Sequence, residues 1–536
     1  MTSLKINYMD IIKTFNPGSS PDKNVTNVTR RRFISSCSAC AACMALKPAY
    51  LLNNPAPPPE SSGKLKIRVI YSLHAPVQTQ PDWPNVGFDF RPVMDRINST
   101  LKDHFADYEF IPTLAAGPED ADKIIAGDAE ADIGAYIVYQ MNCWNRVVQS
   151  VAKTGKPVLY ADFQFAGSGG FLVYTATFLS GNTPNVGFIA SSGTEDLIAA
   201  VACFEKARNG GSPAEFVRAV NESRTGSTPS PGHYSPKKNK IISLSPEDCV
   251  KRLGNSKIIA VRDQKASKTD PVMGIPVEYI PFSEINDAWA AADKDESGEL
   301  VRKWKKTALE IIGVPDETLM TSASMYLGMK AVLKKYNAGA VTVNCLGGFY
   351  GGHIHAYPCL GFHELCNEGL VGACECDINS TATMVAFSTL TGGRPGFISD
   401  PVLDTSKRQI IYAHCVAPNR IFGPEGKTNP FRIMTHSEDR NGASVQSILP
   451  VNYLTTTLEI NNSRKEILFH QAVSVNNDPD DRACRTKLCA EPTGNMEKLF
   501  TMWDKWGWHR VTFYGDLREP VYGLADIMGW KVVEEA

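Results

Sequence analysis

Two carboxylates separated by a single residue, Glu375 and Asp377, are the side chains best placed in this sequence to do chemistry. The turn-forming Asn367, Glu368 and Gly369 and the polar run from Asp377 to Thr381 bound the stretch 369–376, which the apolar pattern predicts as a short buried strand. Side chains alternate along a strand, so Glu375 and Asp377 would leave one face and Cys374 and Cys376 the other. Asn379 or Ser380 would then cap a helix running through Phe387 and ending at Gly392, Gly393, Arg394 and Pro395. Acids at the carboxyl end of a strand and before a helix lie in the ligand crevice of an open α/β sheet. There they can hold a hard cation or move protons. The plainer alternative is a helix cap for Asp377 and a salt bridge for Glu375.

Other polar groups surround this pair in the sequence. A glycine-rich stretch, 346–355, follows a strand expected at 340–345 and carries His353 and His355, which read either as substrate-facing or as surface groups. The helix expected at 358–366 contains Glu364. His509 precedes a strand among tryptophans and by itself reads as a core histidine. Of 14 cysteines, Cys37, Cys40 and Cys43 lie near the N-terminus, and the rest are too irregular to define a disulfide framework. Cys359, Cys366, Cys374 and Cys376 lack zinc-binding spacing and read as core thiols.

The elements that must position these groups predict an α/β protein with two doubly wound parallel-sheet domains followed by a β-rich, barrel-like C-terminal domain. Strand and helix patterns alternate over 64–223, and a Pro-, Ser- and Gly-rich linker or loop covers 224–240. A second alternating unit over 241–399 carries the acidic motif. Its long helix 317–336 places Met320, Met325 and Met329 in the core. From 400 to 536 short strands with turns dominate.

Composition narrows the class. A net charge of -2 without a basic tract gives no field for nucleic acid, and no phosphate-binding glycine motif is present. Gly167 to Gly170 reads as a tight turn. Residues 1–63 read as a signal and flexible leader: Arg30, Arg31, Arg32 and Phe33 precede a weakly apolar run, as in twin-arginine export signals. That run is shorter than the ~20 apolar residues of a membrane span. The expected location is therefore periplasmic or otherwise exported through the twin-arginine translocation machinery, with a cytoplasmic location as the alternative.

Several motifs in order, Pro358 to Leu360, Cys374 to Asp377, Thr389 to Pro395, Ala413 to Pro418 and the ending from Trp508 to Asp516, resemble the L-fucose/L-arabinose isomerase superfamily. The resemblance covers about 340–533 and implies a manganese ion, or a similar divalent cation, held by a Glu, an Asp and a His at a domain junction. It also implies aldose–ketose isomerisation of an open-chain sugar through an enediol, and a homo-oligomer. Asp377 and His509 match the superfamily's Asp and His. The position of its first Glu, near 355–359, has no carboxylate, so Glu364 and Glu375 are the candidates to replace it. On this reading Asp377, Glu375 and Glu364 are the catalytic candidates, Asp377 and His509 the metal ligands, and His353, His355 and Arg394 the groups on the substrate side. The alternative reading is an exported sugar-binding relative without isomerase activity; lyase or epimerase chemistry on the same enediol is a third.

Overall fold

The computed structural model describes residues 63–536, so the twin-arginine pattern and the three cysteines beside it lie outside the described residues. The first sheet contains β1 (Leu65–Ser72), β2 (Tyr108–Ala115), β3 (Ala135–Gln140), β4 (Val158–Asp162) and β5 (Val186–Ile189). It runs in the order β2-β1-β3-β4-β5, with every pair parallel. Both faces are covered: Ile67, Val69 and Tyr71 join one apolar cluster while Ile70 joins another, which is why β1 is apolar rather than strictly alternating. The strand order reverses between β1 and β3. Over that carboxyl edge folds the loop 73–90, pinned by Asn142, whose Nδ2 donates to the Trp83 carbonyl at 2.8 Å. The loop reaches the C-terminal domain through Val86 N–H, which donates to the Glu438 carbonyl at 2.8 Å.

A second sheet is built from β6 (Ile258–Val261), β7 (Ser267–Val272) and β8 (Ile275–Ile280), joined after the small β9 (Glu310–Ile312) by β10 (Ala340–Val343) and β11 (Val371–Ala373). Its order is β11-β10-β6-β8-β7, parallel except for the β7–β8 hairpin at one edge. Met325 and Met329, on the helix Asp316–Tyr336, are buried in its core. The strand expected at 369–376 is shorter than its apolar pattern suggests and ends at Ala373. Glu375 and Cys376 both adopt left-handed backbone, with φ of 62° and 54°. The chain therefore turns sharply there, and strand alternation does not set the directions of the two carboxylates. The glycine-rich stretch likewise winds into the short helix Cys345–Tyr350.

The C-terminal strands are β12 (Phe397–Asp404), β13 (Gln409–His414), β14 (Phe431–Met434), β15 (Ser444–Ser447), β16 (Leu454–Asn461), β17 (Glu466–Asn477), β18 (Thr486–Pro492), β19 (Arg510–Tyr514) and β20 (Lys531–Glu534). Six of them, in the order β16-β19-β12-β13-β18-β17, form an antiparallel barrel that closes through β16–β17; β20 lies parallel on β17. Closure removes the exposed edges of an open sheet. β14 pairs with β15 and takes β9 from the second α/β unit as its parallel neighbour. After the helix Pro213–Ser227 the chain runs without regular structure over 228–245, tied to the barrel side by Tyr234 Oη on Glu491 at 2.8 Å. The eleven cysteines of the described residues are all free, and nine are buried.

Candidate active site

Three neighbouring strands deliver the site. In the β12–β13 register Asp400 pairs with Ala413, so His414 follows directly beside it. In the β12–β19 register Ser399 pairs with Arg510, which sets His509 next to Asp400 at the same rim of the barrel. The left-handed turn after β11 brings Glu375 and Asp377 to this rim from the second sheet. His509 is the meeting point: its Nδ1 lies 2.9 Å from Asp377 Oδ2, and its Nε2 lies 3.2 Å from Asp400 Oδ1 and 3.6 Å from Glu375 Oε2. His414 Nε2 lies 3.8 Å from Asp400 Oδ2. Asp400, His414 and His509 are buried, while a third of each of the Glu375 and Asp377 side chains is exposed.

Glu375, Asp400, His414 and His509 each offer one ligand atom, and these four atoms lie within 4.8 Å of one another. Two buried atoms in this group, Asp400 Oδ1 and His414 Nε2, lack a hydrogen-bond partner. Hydrogen-bond directions refine the set. The Cys415 N–H donates to His414 Nδ1 at 2.9 Å, so a neutral ring carries its proton on Nε2 and presents a donor. His509 is the reverse: its Nδ1–H donates to Asp377, leaving an Nε2 lone pair between two carboxylates. A positive charge must sit between those three groups, either a proton on Nε2 or a cation. Glu375, Asp400 and His509 thus form a three-ligand set of the oxygen and imidazole donors that suit a divalent transition metal, with His414 as a donor at its side.

The electrostatics follow from this crowding. Burial disfavours the imidazolium of His509, but Asp400, Glu375 and Asp377 outweigh it and hold its pKa well above the usual value. Glu375 is pushed up to about 7, mainly by removal from water and further by Asp400 and Asp377. Asp377 goes the other way: burial would raise it, but the His509 and Ser380 hydrogen bonds keep it below the ordinary carboxylate value. Burial depresses His414. Glu438, whose charge interacts with that of Glu375, accepts from Tyr350 Oη at 2.7 Å and is raised to about 8, chiefly by burial.

The remaining sequence candidates lie elsewhere or do other work. Asp377 caps the helix Ile378–Leu390 with Oδ1 on the Ser380 N–H at 3.0 Å while holding His509 with Oδ2, so cap and site function coexist in one side chain. Its oxygens are outside the four-atom group. Glu364 is buried on the helix Cys359–Asn367, with its oxygens 2.7 Å from Lys303 Nζ and from Trp304 Nε1. His353 and His355 are exposed, facing Phe282 and Trp289 at ring separations of 5.6 and 5.7 Å. Arg394 is buried and donates to the carbonyls of Tyr514 at 2.6 Å and Lys240 at 3.1 Å, clamping the end of the linker. Sequence reasoning missed Asp400 and the part played by His414. Their signals are Asp400 at the start of the strand-rich region and His414 inside the motif 413–418.

These features define an α/β protein with a C-terminal barrel and a candidate divalent-cation site where the barrel rim meets the second parallel sheet. No family model matches the chain. Among curated proteins it is similar to the sulfoquinovose isomerase of Clostridium sp. (strain MSTE9), 22% identical over 284 residues that cover 48% of this chain and 57% of that protein. It is also similar to the sulfoquinovose isomerase of Priestia aryabhattai, 24% identical over 137 residues, 25% of this chain and 30% of the relative. That of Alkalicoccus urumqiensis is 26% identical over 103 residues, 19% of this chain and 23% of the relative. The matched segments thus span between about a quarter and just over half of those proteins.

Proposed function

We propose that this protein is an aldose–ketose isomerase that binds a divalent cation, manganese or a similar ion, through Glu375, Asp400 and His509. The observation that carries the reading is the convergence of these three groups on one point, with a single proton or cation required between them. The names of the similar curated proteins point to the same reaction class. The substrate class is an open-chain aldose or a modified aldose. When bound, the cation would polarise the sugar's oxygens and so lower the cost of an enediol. Glu375 is the group to move the proton: it can take the C2 proton as a carboxylate and return it to C1 as an acid, which converts aldose to ketose with no net change in atoms. Glu438, neutral near pH 7, is available to exchange protons with the sugar's oxygens. His414 Nε2–H supplies a donor at the same rim. Asp377 keeps His509 in the tautomer that faces Glu375 and Asp400.

The experiment is incubation of the purified chain with a panel of aldoses and manganese, followed by detection of the ketose. Product from the wild type, abolished by His509→Ala, supports the reading. Binding of a sugar without conversion and without any effect of chelation would replace it with a sugar-binding role. The twin-arginine pattern supports export of the folded chain with its cation already bound, and the resemblance supports a homo-oligomer.

A further inference from the structure

We propose that Glu459 is a permanently neutral positioning residue that fixes the tautomer and orientation of His509 through Ser380 and Asp377. The inference rests on the cation reading above and extends it to a residue one layer behind the site.

Glu459 lies on β16 and is 2% exposed. Its Oε2 is 3.0 Å from Ser380 Oγ, and its Oε1 is buried with no hydrogen-bond partner. Ser380 Oγ is also 3.0 Å from Asp377 Oδ2. A serine hydroxyl has one proton and can donate to only one of these two carboxyl groups. The other contact must be donated by the carboxyl group itself. Asp377 is already the acceptor of His509 Nδ1–H at 2.9 Å and of the Ser380 backbone N–H at 3.0 Å, the surroundings of an anion. Glu459 has no such support. The guanidinium that acts on it electrostatically, that of Arg510, is committed to Glu535 and to the carbonyls of Gly507 and His509. An ionised Glu459 would leave a bare anionic oxygen in a dry interior.

The proton count therefore has one solution. Glu459 Oε2–H donates to Ser380 Oγ, Ser380 Oγ–H donates to Asp377 Oδ2, and Asp377 accepts from His509 Nδ1–H. Each contact has one donor and one acceptor, and the direction of the chain follows from the anionic Asp377 at one end and the unsupported carboxyl of Glu459 at the other. The consequence appears at its other end. His509 Nδ1 is held protonated, so the Nε2 lone pair faces Glu375 and Asp400, where the cation would bind. Ser380 also belongs to the first turn of the helix Ile378–Leu390, so the relay couples that helix to the barrel strand β16 and to the site.

Two measurements test this. The first is an infrared difference spectrum of wild type minus Glu459→Gln at mildly alkaline pH, which should show the C=O stretch of an undissociated carboxylic acid. Absence of that band would mean that Glu459 is ionised and would overturn the proposal. The second is calorimetric titration with manganese. Glu459→Gln keeps a donor toward Ser380 Oγ and should bind within about threefold of the wild type, whereas Glu459→Ala should bind about tenfold more weakly. Equal affinity of Glu459→Ala and wild type would also overturn it. A wild type that takes up no manganese would defeat the cation reading alone, and the infrared band would still decide the protonation of Glu459.

Discussion

His509 joins two kinds of contact in one ring: an outward bond to Asp377 that fixes its proton and an inward lone pair that faces two acids. Replacing it with alanine removes a donor that neither carboxylate can substitute. His509→Ala should lose manganese uptake and at least about 100-fold in turnover, measured by elemental analysis and ketose formation; full uptake in that variant would sink the ligand assignment. Glu375→Gln should lose about 10²–10⁴ in kcat, since the amide can neither take nor return a proton. The wild-type rate should rise with pH as Glu375 ionises; burial raises its pKa to about 7 and a bound cation lowers it, so the rise falls on the acid side of pH 7. A kcat that stays flat from the acid limit of the fold up to neutral pH would exclude Glu375 as the base. At this scale Glu375 and Asp377 were legible because they share one short motif, whereas His509, which by itself reads as a core histidine, was reached only through the superfamily resemblance. Asp400 was not legible: its role depends on pairing Ser399 with Arg510 more than a hundred positions away, and a one-residue slip in that register would turn it to the other face of the strand. Glu364 looked available as an acid because its partners, Lys303 and Trp304, are some sixty positions distant.

Elements hold this constellation by close approach. The helix Ser168–Ser180 passes under Trp508, the neighbour of His509, and an added Cβ at Gly169 would lie 2.7 Å from the Trp508 ring. Trp508 has little room to yield, since its Nε1 donates to the Pro401 carbonyl at 2.9 Å and its ring packs edge-on against Trp83 and Trp144. Gly169→Ala should therefore cost about 1–3 kcal/mol in urea unfolding and displace His509 enough to lower turnover. An unchanged unfolding midpoint would show that the tryptophan can shift freely. The sequence suggested only a tight turn at Gly167 to Gly170, and the reason is physical: the first nine residues of this helix are buried all round, so it has no polar stripe to reveal its period. The same holds for β11, where an apolar run continues past the strand's end into a left-handed turn that no periodicity announces. The parallel sheets and the barrel were legible because strand and helix patterns alternate in the first two thirds and short strands follow one another in the last.

At the scale of the whole molecule, the barrel interior is tied to the chain's end by charge. Glu535 is fully buried and receives Arg510 Nη2 at 2.6 Å and His470 Nδ1 at 2.7 Å; His470 Nε2 in turn accepts from Tyr412 Oη at 2.7 Å. Arg510 passes the constraint on to the site, because its Nη1 donates to the His509 carbonyl at 2.7 Å. Burial alone would raise the Glu535 pKa, but the Arg510 charge and the His470 bond overcome it and bring it down to about 2. The folded value is thus below the unfolded one of about 4.5, so the stabilisation is complete above pH 4.5 and is lost as pH falls from there toward 2. Its size is on the order of 3 kcal/mol. Glu535→Gln leaves Arg510 buried beside a neutral partner and should cost about 3–5 kcal/mol at neutral pH. Urea midpoints measured across the acid range should fall steeply for the wild type and less steeply for Glu535→Gln. Identical slopes would mean that this buried pair does not carry the acid sensitivity. Because Arg510 adjoins His509, the variant should also weaken manganese binding at neutral pH.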